Sequence, residues 1–160
     1  MALSVKDRLD IHDLLVRYGF VVDDRDWDVF ACVFTPDAVV DFGSDDPPMG
    51  LAPIVGVQEI VRQFRDILTH PLQHVIVNHV MDPVSDKEVV VRSKALFPVP
   101  GDGVFEGLYR DVVVRTPEGW RIKHKSMTIF DRGGSPWQAE NYKRMVANGA
   151  TFRQSATGSS

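Results

Sequence analysis

Two side chains, an aspartate and a histidine, are the candidates for chemistry in this sequence. Asp23 stands at the end of the first predicted helix, where a carboxylate opposes the helix dipole at a cost of about 0.3–1 kcal/mol. His74 lies in an apolar segment with the alternation of a β-strand. If the two met in an apolar cavity, the carboxylate would fix the imidazole tautomer and the ring could act as a general base towards a C–H bond.

Each of the two residues also has a simpler interpretation. Asp23 could be a solvated acid or could cap the second helix, as its neighbours Asp24 and Asp26 could. His74 could be hydrogen-bonded within the core or at the rim of a sheet, since buried polar groups need partners. Because the two residues are far apart in the sequence, the pattern alone does not show that they meet.

The predicted strand 73–82 places a second polar side chain near His74. Alternate residues of a regular strand share a face, so Asn78 is expected to point the same way as His74, about 13 Å away. His79 is expected on the opposite face, where the sequence suggests no partner for it. The first face therefore carries a histidine and an amide among aliphatic side chains.

The rest of the chain divides into N-terminal helices and a run of strands. Short turns separate the strands, which favours an antiparallel meander and an α+β fold class. A strongly twisted sheet of this kind curls, and helices over its concave face would leave a cone with one cavity. The predicted helices are 4–23, 27–34, 57–68 and 135–147; the predicted strands are 38–42, 73–82, 88–99, 104–116 and 120–131. A single domain over 1–150 is expected, followed by a flexible tail over 151–160.

Composition and charge exclude several classes of protein. The 160 residues suit one domain, and 44% hydrophobic with 25% charged residues is typical of a soluble globular protein. The net charge of −4 argues against a nucleic-acid binder, and the basic residues Arg121, Lys123 and Lys125 are expected to form a solvated strand face. One cysteine excludes an internal disulfide, and no histidines have metal-ligand spacing. No apolar run suits a membrane span or a signal peptide, so we expect a cytoplasmic protein.

A further set of residues occurs along the chain in a recognisable order. The set comprises Tyr18, Asp23–Trp27, Phe34–Phe42, Gly56, His74 with Asn78, Gly107–Asp111 and Gly119–Ile122. In this order and spacing, the residues resemble the SnoaL-like branch of the NTF2-like superfamily over about 5–132. The resemblance implies a curled antiparallel sheet closed by helices into a cone. Members include scytalone dehydratase, a hexachlorocyclohexane dehydrochlorinase, bile-acid dehydratase and polyketide cyclases.

The resemblance also implies roles for particular residues. In the two dehydratases and the dehydrochlorinase, an aspartate pairs with a strand histidine, and the matching positions here are Asp23 and His74. Other matching positions imply contacts with a substrate. Phe42 stands where scytalone dehydratase has a tyrosine and makes the pocket more apolar, while Tyr18, Asn78 and Tyr109 are expected in its wall. Arg115 could polarise a leaving group or a carbonyl, or could be a surface arginine near a turn.

The combined expectation is a cofactor-free lyase or isomerase that resembles a dehydratase. His74 would remove a proton from carbon and Asp23 would orient His74, on a small, mostly apolar, cyclic substrate. One alternative is a non-catalytic domain that binds a small molecule or a protein, and another is a polyketide cyclase in which Asp23 acts as the acid. No metal, nucleic acid or membrane is expected as a partner, and the resemblance implies a homodimer or homotrimer.

Overall fold

The structure, a computed structural model, describes residues 3–42, 51–101, 103–130 and 136–149, without the side chains of 130, 136–139, 141 and 142. The helices are α1 (Val5–Asp23), α2 (Trp27–Ala31), α3 (Val57–Asp66) and α4 (Pro136–Ala147). The strands are β1 (Phe34–Asp41), β2 (Ile54–Val55), β3 (Val75–Pro83), β4 (Glu88–Val99), β5 (Gly103–Thr116) and β6 (Gly119–Phe130). The predicted tail 151–160 lies outside the described residues.

The strands form one sheet in the order β2-β1-β6-β5-β4-β3. Neighbouring strands are antiparallel except β1 and β6, which run parallel. The sheet curls without closing, and the N-terminal helices lie against it, which confirms the predicted α+β class. None of the described helices combines the length and the apolar character needed to cross a bilayer.

Helix α1 forms as its sequence pattern predicts. The Ser4 hydroxyl accepts a hydrogen bond from the Asp7 backbone N–H and so caps the helix. Ile11, Leu15 and Val22 recur on one face and are fully buried. Burying each such side chain stabilises the fold by about 1.5–3 kcal/mol, so this face fixes how α1 lies on the sheet.

The region after α1 differs from the prediction. Helix α2 ends at Ala31 instead of continuing to 34, and β1 begins at Phe34 instead of 38. Phe34 pairs with Ile122 of β6, a long-range contact that overrides the local helical spacing. The pairing of β1 with β6 is irregular between Phe34 and Val39, where Pro36 has no N–H to donate to a ladder.

Two β-bulges change which side chains face the interior. In β3 the register shifts between Val77 and Val80, and Asn78 there has a φ of 57°. In β6, His124 and Ile122 pair with consecutive residues of β5, so Lys123 is the extra residue. Each bulge reverses the alternation that follows it. The prediction that Asn78 shares the face of His74 is therefore wrong.

Candidate active site

Asp23 and His74 meet through two hydrogen bonds. The Asp23 Oδ1 lies 2.6 Å from His74 Nδ1, and Oδ2 accepts from the His74 backbone N–H at 2.9 Å. A carboxylate only accepts, so this geometry places the ring proton on Nδ1 and leaves Nε2 as the basic nitrogen. The His74 side chain is 5% exposed and that of Asp23 is 21% exposed.

The same contacts explain why an acid ends helix α1. Hydrogen bonds to a charged group contribute about 1.5–3 kcal/mol each, which outweighs the dipole penalty of about 0.3–1 kcal/mol at this position. Gly19, one turn before Asp23, allows the close approach. A Cβ at Gly19 would lie 3.1 Å from the His74 carbonyl oxygen, so the absence of a side chain brings α1 against the chain at His74.

A cavity lies beside His74 within the cone. Its volume, counted as the space open to the centres of water molecules, is about 60 Å³. This is enough for a few waters, so the interior is not collapsed. Aromatic and aliphatic side chains dominate its wall, and Tyr18, Thr69, His70 and His74 are its polar members. The apolar lining residues are Phe42, Leu51, Phe64, Leu68, Pro71, Phe97, Phe105, Met127, Ile129 and Met145.

The pair of Asp23 and His74, the dyad, spans the wall of the cone. His74 lines both the inner cavity and a groove on the outer surface. Asp23 lines the outer groove together with Val16, Phe20 and Gln73. The aspartate therefore lies on the outer side of the histidine, and the apolar cavity lies on the inner side.

The structure places the other sequence-predicted residues at varying distances from the dyad. Phe42 and Tyr18 line the cavity, and the Tyr18 ring lies edge-on to His74 with centroids 6.2 Å apart. Tyr109 does not line the cavity, so its predicted place in the wall is wrong; it is buried behind the wall, with its ring 6.1 Å from that of Tyr18. Burial raises the pKa of both tyrosines above the usual value, so both phenols are neutral.

Two further predicted residues do not line the cavity. Asn78 is exposed as a consequence of the bulge in β3. Arg115 forms an ion pair with Asp7 at 2.7 Å and lies over the Trp120 ring, at the N-terminal end of α1. Arg115 therefore has the surface position, and the expectation that it polarises a bound substrate is corrected.

A buried ion pair near the dyad was missed by the sequence pattern. Lys125 Nζ lies 3.0 and 3.3 Å from the two carboxylate oxygens of Asp111, and both residues are 1% exposed. The ammonium also lies over the rings of Tyr18 and Tyr109, at 4.1 and 3.7 Å from their centroids. Burial raises the pKa of Asp111 and lowers that of Lys125, and the pairing opposes both shifts. The predicted solvated face is therefore wrong for Lys125.

His70 was also missed, although it lines the cavity. Its Nε2 lies 2.7 Å from the Phe64 carbonyl oxygen, and its ring packs against those of Trp27 and Phe64. Burial lowers the pKa of His70 to about 4, and the charges of Arg25 and His74 add to this effect. The local sequence offers no signal for this role, because the partner is a backbone carbonyl whose position depends on where α3 ends.

We expect the free energy of unfolding to fall as the pH falls from about 6.5 to about 4. The folded His70, near Arg25, His74 and Asp23, has a pKa of about 4, against 6.5 for an ordinary histidine. Between these values the unfolded chain binds a proton that the folded chain does not, so acid favours unfolding. Urea denaturation at a series of pH values should show that the free energy of unfolding of His70→Gln depends less steeply on pH than that of the wild type. An unchanged dependence in that variant would contradict the assignment.

Several known proteins are similar to this chain. The curated protein Rv2910c of Mycobacterium tuberculosis, which is uncharacterised, is 32% identical over 122 residues, covering 74% of this chain and 82% of its own. Two solved structures come from Novosphingobium aromaticivorans. A candidate aromatic ring hydroxylase has a TM-score of 0.69 and 27% identity, covering 88% of this chain and 99% of its own. A candidate scytalone dehydratase has a TM-score of 0.65 and 21% identity, covering 79% and 86%.

The family model described as the SnoaL-like domain matches residues 4–126, a range that contains both members of the dyad. The solved structures share the cone of curled sheet and helices, which is the NTF2-like or cystatin-like fold. The chain therefore belongs to the SnoaL-like domain family.

Proposed function

We propose that this protein is a lyase or isomerase that removes a proton from a carbon atom of a small, mostly apolar, cyclic substrate without a cofactor. The observation that carries this proposal is the 2.6 Å contact between Asp23 Oδ1 and His74 Nδ1 at the wall of an apolar cavity. The candidate scytalone dehydratase among the structural neighbours supports the lyase class.

In the proposed step, His74 Nε2 takes a proton from a carbon beside a carbonyl or a leaving group. The C–H electron pair becomes part of a new C=C bond, and the Asp23 carboxylate stabilises the imidazolium that forms. In a dehydration, the C–O bond breaks and the imidazolium returns its proton to the departing oxygen, so that water leaves. In an isomerisation, the imidazolium returns the proton to another carbon. A general base in this position contributes about 10²–10⁴-fold to the rate.

The lining of the cavity supports a cyclic substrate. Four of its aromatic residues are Phe42, Phe64, Phe97 and Phe105. Such side chains favour the binding of flat or ring-shaped apolar groups over that of charged, chain-like ligands. The Tyr18 ring adds to this lining, with its centroid 6.2 Å from that of His74, and its phenol is neutral.

The test uses two ketones, cyclohexanone and 1-tetralone, dissolved in D₂O with the protein. NMR monitors the exchange of their carbon-bound hydrogens for deuterium. We expect the protein to accelerate loss of the signals of the hydrogens next to the carbonyl. His79→Ala is the matched control, because His79 lies in β3, which His74 directly precedes, but does not line the cavity. This control should retain the exchange activity. Binding of both ketones without any exchange would favour the non-catalytic alternative.

A further inference from the structure

The segment between α3 and β3 presents two adjacent polar side chains at the cavity, Thr69 and His70. A backbone carbonyl only accepts hydrogen bonds, so the 2.7 Å contact of His70 Nε2 with the Phe64 oxygen places the ring proton on Nε2. In the neutral ring, Nδ1 is then an acceptor with a free lone pair. Within the part of the chain that the structure describes, no side chain or backbone N–H donates to it.

The orientation of the His70 ring is fixed by its neighbours. Its centroid lies 5.5 Å from that of Phe64, 6.1 Å from that of Trp27 and 6.2 Å from that of His74. Together with the hydrogen bond to the Phe64 carbonyl, these contacts favour the orientation that leaves Nδ1 as the acceptor. Because burial holds the pKa of His70 near 4, the acceptor persists at neutral pH.

Thr69 provides an independent observation at the same place. Its Oγ1 is buried and has no hydrogen-bond partner among the described residues. A buried hydroxyl without a partner lowers stability, because its hydration is lost and nothing replaces it. A ligand group that supplied both a donor and an acceptor would satisfy Thr69 and His70 together.

We propose that Thr69 and His70 bind a hydroxyl group of the substrate. The hydroxyl donates to His70 Nδ1 and accepts from Thr69 Oγ1–H, a pairing that neither a carboxylate nor a hydrocarbon can make. The inference deepens the proposed function, on which it rests, by naming a hydroxylated ring as the substrate class. The ring centroids of His70 and His74, 6.2 Å apart, are close enough for one small ring to contact both side chains.

The test compares binding of cyclohexanol and methylcyclohexane, which have similar shapes and differ in one hydroxyl, by NMR titration. Thr69→Val is close to isosteric and removes the hydroxyl, whereas Thr69→Ser retains it. We expect Thr69→Val to weaken the binding of cyclohexanol about threefold to tenfold, which corresponds to the loss of one hydrogen bond. The affinity for methylcyclohexane should not change. Thr69→Ser should bind both ligands as the wild type does.

A second variant tests the acceptor. His70→Gln can still donate to the Phe64 carbonyl but has no acceptor at the position of Nδ1, so it too should lose affinity for cyclohexanol alone. Equal effects on both ligands, no effect in either variant, or failure of the wild type to bind cyclohexanol would overturn the proposal. These measurements need no turnover. If cyclohexanol is preferred but no hydrogen exchange occurs, the hydroxyl site stands and the proposed reaction fails.

Discussion

Replacing His74 by alanine is expected to reduce catalysed hydrogen exchange about 10²–10⁴-fold, because the variant lacks the imidazole that acts as the base in the proposed step. The fold should persist, since the Asp23 carboxylate can still accept from the backbone N–H of residue 74 at 2.9 Å. Exchange rates measured by NMR, with circular dichroism and a thermal melt on the same samples, would separate loss of catalysis from loss of structure. A variant that retained most of the activity would exclude His74 as the base.

Asp23→Asn tests the other half of the dyad. An amide offers one acceptor oxygen to two donors, the His74 ring and its backbone N–H. The amide N–H₂ can also donate to Nδ1, which would move the ring proton to Nε2 and block the basic nitrogen. We therefore expect a loss comparable to that in His74→Ala. A polyketide cyclase would behave differently, because Asp23→Asn would remove activity that His74→Ala left largely in place.

The second large effect is expected for the buried ion pair. Lys125→Met should lower the free energy of unfolding by about 3–5 kcal/mol, because it leaves the Asp111 carboxylate buried without its partner. The interaction of the ammonium with the faces of Tyr18 and Tyr109 is lost as well. Chemical denaturation monitored by fluorescence would measure the change.

Two further variants make this prediction specific. Lys123→Met removes a lysine from the exposed bulge of β6 and should change stability by no more than about 0.5 kcal/mol. The double variant with Lys125→Met and Asp111→Leu removes both buried charges and should recover most of the loss. If Lys125→Met alone proved neutral, or if the double variant were the less stable, the unpaired charge would not be the cause.

The dyad could be predicted because each partner lies at or next to the end of a regular element that the sequence predicts. Asp23 ends a helix whose cap and apolar spacing are plain in the sequence, and His74 directly precedes β3. The family resemblance supplied the pairing that local pattern could not, since the contact joins residues 51 positions apart. Phe42 and Tyr18 were placed at the cavity for the same reason.

The positions of Asn78 and Lys125 could not be predicted, and the sequence could not decide between the two interpretations of Arg115, for two physical reasons. Bulges in β3 and β6 reverse the alternation, and a period-two pattern contains no signal for an extra residue. The position of Arg115 depends on a tertiary ion pair with Asp7, which is far from it in the sequence. His70 likewise acts through a backbone carbonyl, which residue type cannot reveal.

The bulge at Lys123 has a consequence for how proteins of this fold can diverge. If the two strands paired without the bulge and kept the pairing of Val113 with Ile122, His124 would lie opposite Asp111, and Lys125 would turn outward. The interior beneath Tyr18 would then exchange an ammonium for an imidazole. Divergence in cavity chemistry can thus arise from a change in strand register, without any substitution at the wall itself.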